Sequence, residues 1–442
     1  MTYNMEEVQK VHIFIFRRDL RIEDNTALNS LIKHTGNKNI LPIFIFNPKQ
    51  IYAKNNEYFS NNAVQFMIES LKSLESSIHI NYYEDTDISV LEQIRKKYVI
   101  KTIAFNRDYT PFAIKRDNII SEWCNTHNIT LITEEDYTLL PLNNKMILNK
   151  SGKPYQKFTP FYNTCMKQII KNPIRPKKHN KKINTIKSVL KFDKDKYYSP
   201  NNEIAVHGGR EEALIRLKKN MTKYASQRDY PYLEGTTRMS AYIKFGCVSI
   251  REVFYNYAKN KALQREIIWR EFYAYILYNF PFVLGKSLKY NMIKWENNKE
   301  WFKKWCNGKT GYAIVDAGMN QLNTTGWMHN RVRMIVAMFL TKDLLIDWKW
   351  GEKYFATKLV DYDPASNNGG WQWCASTGTD SQPYFRIFNP ELQTKRYDKN
   401  LEYIKRWNPD YEMIPKIVDH TERAKIAIEV FKKVSKQKPK NL

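Results

Sequence analysis

Short apolar runs alternate with amphipathic segments over the first third of the chain. Five runs predict buried strands: VHIFIF, ILPIFIF, INYY, KTIAF and ITLIT. The segments NAVQFMIESLKSLESSI, ISVLEQIRKKY and FAIKRDNIISEWCNTH repeat apolar residues about every 3.6 positions, as amphipathic helices do. The alternation predicts an α/β domain with a doubly wound parallel sheet over residues 10–135. No GxGxxG follows any of these strands, which argues against a Rossmann-type dinucleotide site here.

The rest of the chain has a different pattern. Residues 136–205 are polar, basic and interrupted by proline, most densely in IRPKKHNKKINTIK, which predicts an interdomain linker. Over residues 206–442 nearly every segment has helical spacing, including GGREEALIRLKKNMTKY, ALQREIIWREFYAYILYNF and NRVRMIVAMFLTKDLLI. We therefore expect an all-α second domain that is large enough to have its own core.

Composition favours a soluble intracellular protein. Hydrophobic residues make up 43% of the 442 residues and aromatic residues 14%, too many for a disordered chain. No apolar run is long enough to cross a bilayer, and MTYNMEEVQK lacks a basic region followed by an apolar one, so we expect neither a membrane span nor a secretory signal. The five cysteines and the histidines are scattered, which predicts reduced thiols and no metal site. The choice between cytoplasm and nucleus stays open.

The charge of the chain is strongly positive. There are 71 Lys and Arg residues against 45 Asp and Glu, a formal net charge of +26. A polyanionic partner explains this excess economically, and nucleic acid leads the candidates. A coding bias toward Lys, Asn and Ile is the alternative explanation. Binding through phosphates would give affinity and salt sensitivity without base preference.

One segment concentrates the candidate chemistry. From Trp350 to Pro390 the chain reads WGEKYFATKLVDYDPASNNGGWQWCASTGTDSQPYFRIFNP, and neither strand nor helix periodicity explains its aromatic, acidic and amide residues. Upstream, Thr236 and Thr237 in GTTRMSAYIKFG occupy positions typical of helix N-caps, and with Arg238 they offer hydrogen-bond donors for a phosphate. An ordinary helix cap explains the two threonines as well.

These segments resemble the photolyase and cryptochrome family. The resemblance includes the Trp350 to Pro390 segment, WREFY, GKTGYAIVDAGMNQLNTTGWMHNRVRM and FRRDLRIEDNTAL, and it covers nearly the whole chain. It implies an antenna domain at 10–135 and a helical FAD-binding domain at 206–442, with FAD active as FADH−. The residues that it implies for cofactor binding are Tyr224, Thr236, Thr237, Arg238, Met239, Ser240, Arg270, Trp327, Asn330, Arg333, Asp361, Asp363 and Asn367.

The resemblance also gives roles to some of these residues. Arg333 and Asp361 would lie beside the flavin ring and compensate its charge. Asn367 would lie next to flavin N5, where most photolyases have asparagine, plant cryptochromes aspartate and animal cryptochromes usually cysteine. Taken alone, Asn367, Asn368, Gly369 and Gly370 are better explained by a turn.

Electron transfer and substrate binding complete the implied site. Trp371, Trp348 and Trp295 would form an electron route from the flavin to solvent, although tryptophans are mostly packing residues. Glu266 would hydrogen-bond a pyrimidine dimer flipped out of the duplex, although an ordinary surface carboxylate is the alternative. The residues implied for substrate and DNA binding are Arg228, Glu266, Trp269, Arg331, Met334, Trp373 and Arg386.

We therefore predict light-dependent repair of cyclobutane pyrimidine dimers in UV-damaged DNA by a monomeric enzyme. The alternatives are a cryptochrome-like photoreceptor, a (6-4) photoproduct photolyase and a non-enzymatic DNA-binding module. The (6-4) enzymes typically use a histidine pair, whereas MHNR contains only His329. FNRDYTPF resembles antenna-domain sequence, but it leaves open whether the second chromophore is a folate, a deazaflavin, a flavin or absent.

Overall fold

The computed structural model describes residues 9–171, 175–177, 182–187, 192–290 and 292–436. The start of the chain, on which the absence of a secretory signal was predicted, lies outside the described residues up to residue 8. The densest part of the predicted linker is described only in pieces.

The first domain contains the predicted parallel sheet. Its strand order is β3-β2-β1-β4-β5, and every neighbouring pair is parallel. The strands are β1 (Lys10–Phe16), β2 (Ile40–Phe46), β3 (Asn81–Glu84), β4 (Val99–Arg107) and β5 (Thr130–Glu135). All five predicted strands are confirmed. The order changes direction between β1 and β4, and doubly wound sheets bind ligands beyond the carboxyl ends of the strands at such a point.

In the described part of the chain, five α-helices follow the strands of the first domain, and a sixth lies within the linker segment. They are α1 (Thr26–Thr35), α2 (Pro48–Ile51), α3 (Asn61–Glu75), α4 (Asp87–Arg95), α5 (Pro111–Thr126) and α6 (Phe158–Lys171). Side-chain oxygens of Asn25, Ser60, Thr86 and Thr110 accept backbone N–H groups at the starts of α1, α3, α4 and α5. These caps fix the residue at which each of the four helices begins.

The second part of the chain is helical, as predicted. Its helices are α7 (Arg210–Leu217), α8 (Tyr224–Gln227), α9 (Ser240–Lys244), α10 (Ile250–Asn256), α11 (Lys261–Asn279), α12 (Lys299–Cys306), α13 (Ala313–Thr325), α14 (Asn330–Met338), α15 (Trp348–Lys358), α16 (Pro364–Cys374), α17 (Pro390–Tyr397), α18 (Glu402–Trp407) and α19 (His420–Ser435). The segment NRVRMIVAMFLTKDLLI is not one continuous α-helix, because a π-helical turn at Phe339–Asp343 comes after α14. No described helix is long and apolar enough to span a membrane.

The predicted linker is packed against the second domain. Phe158, Phe161, Cys165 and Ile169 of α6 are buried in a core cluster that also contains α11 residues. The backbone N–H of Leu139 donates to the carboxylate of Glu271 at 2.7 Å. The chain between the two domains therefore contributes to the helical core. The domain boundaries themselves stay predictions.

Two groups of buried charges join the domains. Asp136 bonds Arg21 from the first domain at 2.6 Å and Arg251 from α10 at 2.7 Å. Arg18 bonds Asp363, the residue before α16, at 3.0 Å. Both Arg18 and Arg21 belong to the FRRDLR segment after β1, so this one loop contacts the second domain at two places.

Candidate functional site

A cavity of about 640 Å³ lies between the two domains at the carboxyl end of the sheet. Its walls include Phe46 and Asn47 from the end of β2, Asp108 from the loop after β4, and Lys244 and Glu352 from the helical domain. Burial is the main reason that the pKa of Lys244 falls to about 8, and Arg18 lowers it further. Burial raises the pKa of Glu352 to about 7. The cavity is thus an apolar space with a few buried ionisable groups, as in many ligand sites.

The predicted Arg333–Asp361 pair forms. One terminal nitrogen of Arg333 contacts both carboxylate oxygens of Asp361, at 3.1 and 3.0 Å. The Arg333 Nε donates to the backbone carbonyl of Met328 at 2.8 Å, and Ser240 Oγ donates to Asp361 at 2.6 Å. The Arg333 side chain is 25% exposed, so it is neither buried nor a fully solvated helix face. The structure therefore brings together residues from α9, α14 and the loop before α16.

The prediction that Thr236 and Thr237 are helix caps is wrong. Helix α9 begins at Ser240, with Met239 at the N-cap position and no side-chain cap. The reason is that Arg238 has φ of +51°, a left-handed conformation that interrupts the helical path before Ser240. Strain of this kind is common at functional sites.

Arg238 is set up to receive an additional acceptor. Its guanidinium lies 4.7 Å from the centroid of the Trp327 ring and bonds Glu234 at 2.6 Å. The buried Nε of Arg238 has no hydrogen-bond partner within the described part of the chain. An unpaired buried donor is costly, and a phosphate oxygen would satisfy it.

Helix α16 carries the most diagnostic residues. Asp363 caps it by accepting the backbone N–H of Ser366 at 3.0 Å, and the N–H of Asn367 donates to the Asp363 carbonyl at 2.9 Å. Because Asn367–Gly370 lie inside this helix, the interpretation of these residues as a turn is wrong. The side-chain NH2 of Asn367 donates to the Glu352 carbonyl at 3.0 Å, which leaves its amide oxygen as an acceptor.

The space and the donors at this site fit FAD. A Cβ added at Gly370 would meet no atom within 4 Å, so this face of α16 borders open space. The unpaired Arg238 donor suits a diphosphate, and the Arg333–Asp361 pair offers both a cation and an acceptor to a flavin ring.

Other predicted cofactor residues surround this region. Tyr224 is buried at the start of α8, and Asn330 is exposed at the first position of α14. Arg270 donates to the Tyr137 carbonyl at 2.8 Å and to Glu271 at 3.1 Å. Burial would raise the pKa of Asp363, but Arg18, Arg270 and Lys244 together hold it below its ordinary value. These contacts leave the direct cofactor roles of Tyr224, Asn330 and Arg270 as predictions.

The three predicted electron-route tryptophans share one hydrophobic cluster. Trp371 and Trp348 are buried in it, and the partly buried Trp295 packs against it. Trp295 lies 6.1 Å from Phe431 between ring centroids, and the indole N–H of Trp348 donates to Ser287 at 3.0 Å. Trp305, which sequence reasoning missed, is fully buried with its ring centroid 6.0 Å from that of Trp371.

Predicted substrate residues form two ion pairs next to Tyr224, with Arg228 5.8 Å from the centroid of its ring. Glu266 forms an ion pair with Arg228, and Arg331 bonds Asp229 at 2.8 Å. The Glu266 side chain is 37% exposed, so a substrate can reach it. Glu266 and Arg331 are therefore close to each other, because they bond the neighbouring residues Arg228 and Asp229.

The remaining predicted substrate residues differ in their surroundings. One face of Trp269 is covered by Phe158, with ring centroids 3.6 Å apart and an interplanar angle of 3°. Met334 and Trp373 pack against the cluster that contains Trp371. Arg386 is exposed between α16 and α17 and is not brought into the Arg228–Glu266 pair.

Several polar residues at the site escaped sequence reasoning. Arg18 and the hydroxyl of Tyr109 both donate to the same oxygen of Asp363, at 3.0 and 3.2 Å. Their segments, FRRDLR and FNRDYTPF, resemble family sequence, but no spacing along the chain indicates a contact with a residue more than 250 positions away. The sequence does not indicate that Glu352 is buried at the cavity, because a lone glutamate on a helix is normally a surface residue.

Comparisons with known proteins agree with this arrangement. A family model described as DNA photolyase matches residues 12–179, and one described as the FAD binding domain of DNA photolyase matches residues 263–439. The deoxyribodipyrimidine photo-lyase of Alkalihalophilus pseudofirmus is 36% identical over 426 residues, which cover 90% of this chain and 87% of that protein.

Solved structures show the same fold. A photolyase from the archaeon Sulfolobus tokodaii, described with two FAD molecules, has 37% identity and a TM-score of 0.86, and the match covers 96% of this chain and 100% of that one. A class III photolyase from Agrobacterium tumefaciens has 28% identity and a TM-score of 0.87, and the match covers 99% and 100%.

Proposed function

Since the chain belongs to the DNA photolyase family, we propose that it repairs cyclobutane pyrimidine dimers in UV-damaged DNA under blue or near-ultraviolet light. The observation that carries this proposal is α16, which carries Asn367 and Trp371 and whose cap, Asp363, follows Asp361 of the Arg333–Asp361 pair by two residues. It acts as a carbon–carbon lyase with no net redox change. We propose a soluble, monomeric enzyme.

FAD, when bound in reduced form, supplies the light-excited electron that splits the dimer. Arg238, whose Nε has no partner among the described residues, would hold the diphosphate of FAD, and Arg333 and Asp361 would hold its ring. The amide oxygen of Asn367, which its bond to the backbone carbonyl of Glu352 leaves free, would accept a hydrogen bond from the cofactor. A neutral amide in this position does not release a proton as a carboxylic acid would.

The substrate side of the site has a different task. A crosslinked dimer has lost normal pairing, so flipping it out of the duplex is less costly than flipping an intact base. Trp373 and the face of Trp269 opposite Phe158 would contact the flipped bases, and Met334 would add an apolar wall. Glu266 would hydrogen-bond the dimer after exchanging its pair with Arg228, which is then free to contact a phosphate.

The interdomain cavity is the proposed position of the second chromophore. Its volume and apolar walls suit a fused aromatic ring, and it contains Asp108 and Thr110 of the segment that resembles antenna domains. The second FAD described for the Sulfolobus tokodaii protein favours a flavin over a folate or a deazaflavin. Flavin analysis after denaturation tests this: a second flavin equivalent per chain supports it, and a single equivalent contradicts it.

The contacts of His329 disfavour (6-4) photoproduct repair. Its Nδ1 accepts the backbone N–H of Arg331 at 3.2 Å, and the side chain is buried at the start of α14. Burial lowers the pKa of His329 to about 4, so the ring is neutral at physiological pH. A buried, neutral helix cap is poorly suited to donate a proton to a substrate.

One experiment tests the proposed activity. The purified protein is fully reduced and illuminated with DNA that contains cyclobutane dimers, and in parallel with DNA that contains (6-4) photoproducts. We expect loss of cyclobutane dimers in the light only. Bound flavin without repair of either lesion would favour a photoreceptor, and repair of only the second substrate would favour a (6-4) photolyase.

A further inference from the structure

Asp363 is held from both domains at once. One carboxylate oxygen caps α16 by accepting the N–H of Ser366, and the other accepts from Arg18 and Tyr109 of the first domain. Asp363 is 6% exposed, so these contacts are protected from solvent screening. Because Arg18 and Tyr109 hold the second oxygen of Asp363, a change in either side chain should move the carboxylate that caps α16.

Arg18 is the only cation that bonds the Asp363 carboxylate within the described part of the chain. It is 7% exposed, bonds Asp108 at 3.4 Å and lies 5.4 Å from the centroid of the Tyr109 ring. Its Nε is buried without a partner among the described residues. Two carboxylates thus hold the Arg18 guanidinium in place, while its Nε donor stays without a hydrogen-bond partner among the described residues.

The position of Asp363 fixes the first turn of α16. The first backbone bond of the helix runs from the N–H of Asn367 to the carbonyl of Asp363 at 2.9 Å. Asn367 and Trp371 come next at intervals of four residues, so they lie on the same side of the helix. A small shift of the cap would move the Asn367 amide and the Trp371 indole together.

We propose that Arg18, a residue of the first domain, is a positioning residue for the flavin site and acts by holding Asp363 at the start of α16. The inference rests on the proposed function, since it assigns Arg18 a role in flavin binding. It predicts that removing the guanidinium changes the flavin held by the helical domain without removing a contact to that flavin. A catalytic site is commonly sensitive to the residues that orient its contacting groups.

The test compares three variants with the wild-type holoprotein. Arg18→Gln removes the charge, and Arg18→Lys keeps the charge but loses the planar, forked arrangement of donors. Arg210→Gln is the matched control, because Arg210, although more exposed than Arg18, also bonds a carboxylate, that of Glu252 in α10, at 2.8 Å. The measurements are the release rate and the midpoint potential of the flavin held by the helical domain, hydrogen exchange at the amides of Ser366 and Asn367, and thermal unfolding.

We expect Arg18→Gln to weaken FAD retention about tenfold, within the usual range for coupled sites. It should also shift the midpoint potential and accelerate exchange at Ser366, with Arg18→Lys intermediate. Arg210→Gln should lower the unfolding temperature only. In an Asp363→Asn background, Arg18→Gln should add little, because the partner through which it acts has lost its charge.

The opposite result is equally clear. If Arg18→Gln and Arg210→Gln both lower the unfolding temperature while the potential and the Ser366 exchange stay at wild-type values, Arg18 is only structural and the inference is overturned. Should Arg18→Gln fail to fold, Arg18→Lys decides by the same measurements. None of these readouts uses DNA repair, so a failure of the proposed function appears separately, as wild-type holoprotein that does not repair dimers.

Discussion

Arg18 and Arg21 lie in the same loop after β1 and both bond carboxylates outside the first domain, but their surroundings differ. Arg21 donates to Asp136 and to the backbone carbonyls of Glu23, Asp24 and Gly246. Both oxygens of Asp136 are bonded to arginines. Arg21 and Asp136 therefore belong to a saturated contact that is removed from the cavity.

Arg18, by contrast, lines the interdomain cavity and keeps an Nε without a partner among the described residues. Its carboxylate partner caps a helix of the candidate site, whereas Asp136 bonds one arginine from each domain. One short segment can thus supply a contact that holds the domains together and a contact that adjusts the site. The two contacts differ in their hydrogen bonds: every nitrogen of the Arg21 guanidinium has a partner, whereas Arg18 keeps a buried donor that a ligand could pair with.

The largest effect is expected from replacing Trp371, which lies on α16, the helix capped by the carboxylate partner of Arg18. Trp371→Phe keeps an aromatic ring in the core but removes the readily oxidised indole. We expect it to abolish photoreduction of oxidised flavin and to leave repair by chemically reduced protein mostly intact. Absorbance during illumination and a dimer repair assay measure the two activities.

Trp305→Phe is the matched control for Trp371→Phe. Trp305 is equally buried and packs close to Trp371, but the predicted route runs through Trp348 instead. Normal photoreduction in Trp305→Phe and its loss in Trp348→Phe would support that route. Photoreduction that survives Trp371→Phe would contradict it altogether.

The saturated contact should determine stability instead. Asp136→Asn leaves the buried Arg21 without an ion-pair partner among the described residues, whereas Arg251 keeps its pair with Asp24 at 2.7 Å. Leaving a buried charge unpaired is expected to lower the free energy of unfolding by about 3–5 kcal/mol. Chemical denaturation measures this. A loss below about 1 kcal/mol, within the range of exposed pairs, would show that Asp136 is not an anchor.

The same contact predicts sensitivity to acid. Burial would raise the pKa of Asp136, but Arg21 and Arg251 lower it to about 2. Because this folded-state pKa lies below the ordinary value, the contribution is present above about pH 4 and is lost as the pH falls toward 2. Stability of the wild type should therefore fall more steeply than that of Asp136→Asn over this interval.

A smaller effect is expected at the cavity wall. Burial raises the pKa of Glu352 to about 7, so the folded state favours the protonated carboxyl. The stabilisation by this group is complete below about pH 4 and is lost as the pH rises through 7. Glu352→Gln should therefore be more stable than the wild type at pH 8 by about 1–2 kcal/mol and should show a flatter pH profile. Equal profiles from pH 5 to 8 would contradict a raised pKa.

The sequence was sufficient for the sheet but not for the site. Each strand is a local apolar run, and the caps at Asn25, Ser60 and Thr110 are local signals, so the first domain could be predicted directly. The site residues were identified through resemblance, and two local interpretations failed. Arg238 adopts a left-handed conformation that no propensity predicts, and Asn367–Gly370 form helix despite two glycines. Packing and capping by distant residues decided both.

The smallest expected effect on stability comes from an exposed arginine, in contrast to the buried Arg18 and Arg21. Arg386 is exposed, so Arg386→Gln should leave stability nearly unchanged. If it contacts a phosphate, the variant should bind damaged and undamaged DNA more weakly by a similar factor, and the salt dependence of binding should fall by about one counterion. Lys353→Gln removes the same charge from an exposed pair with Glu57 and controls for the net charge of the protein. Equal salt slopes for both variants would mean that Arg386 contributes only general charge, whereas a reduced slope for Arg386→Gln alone would place a phosphate at this position.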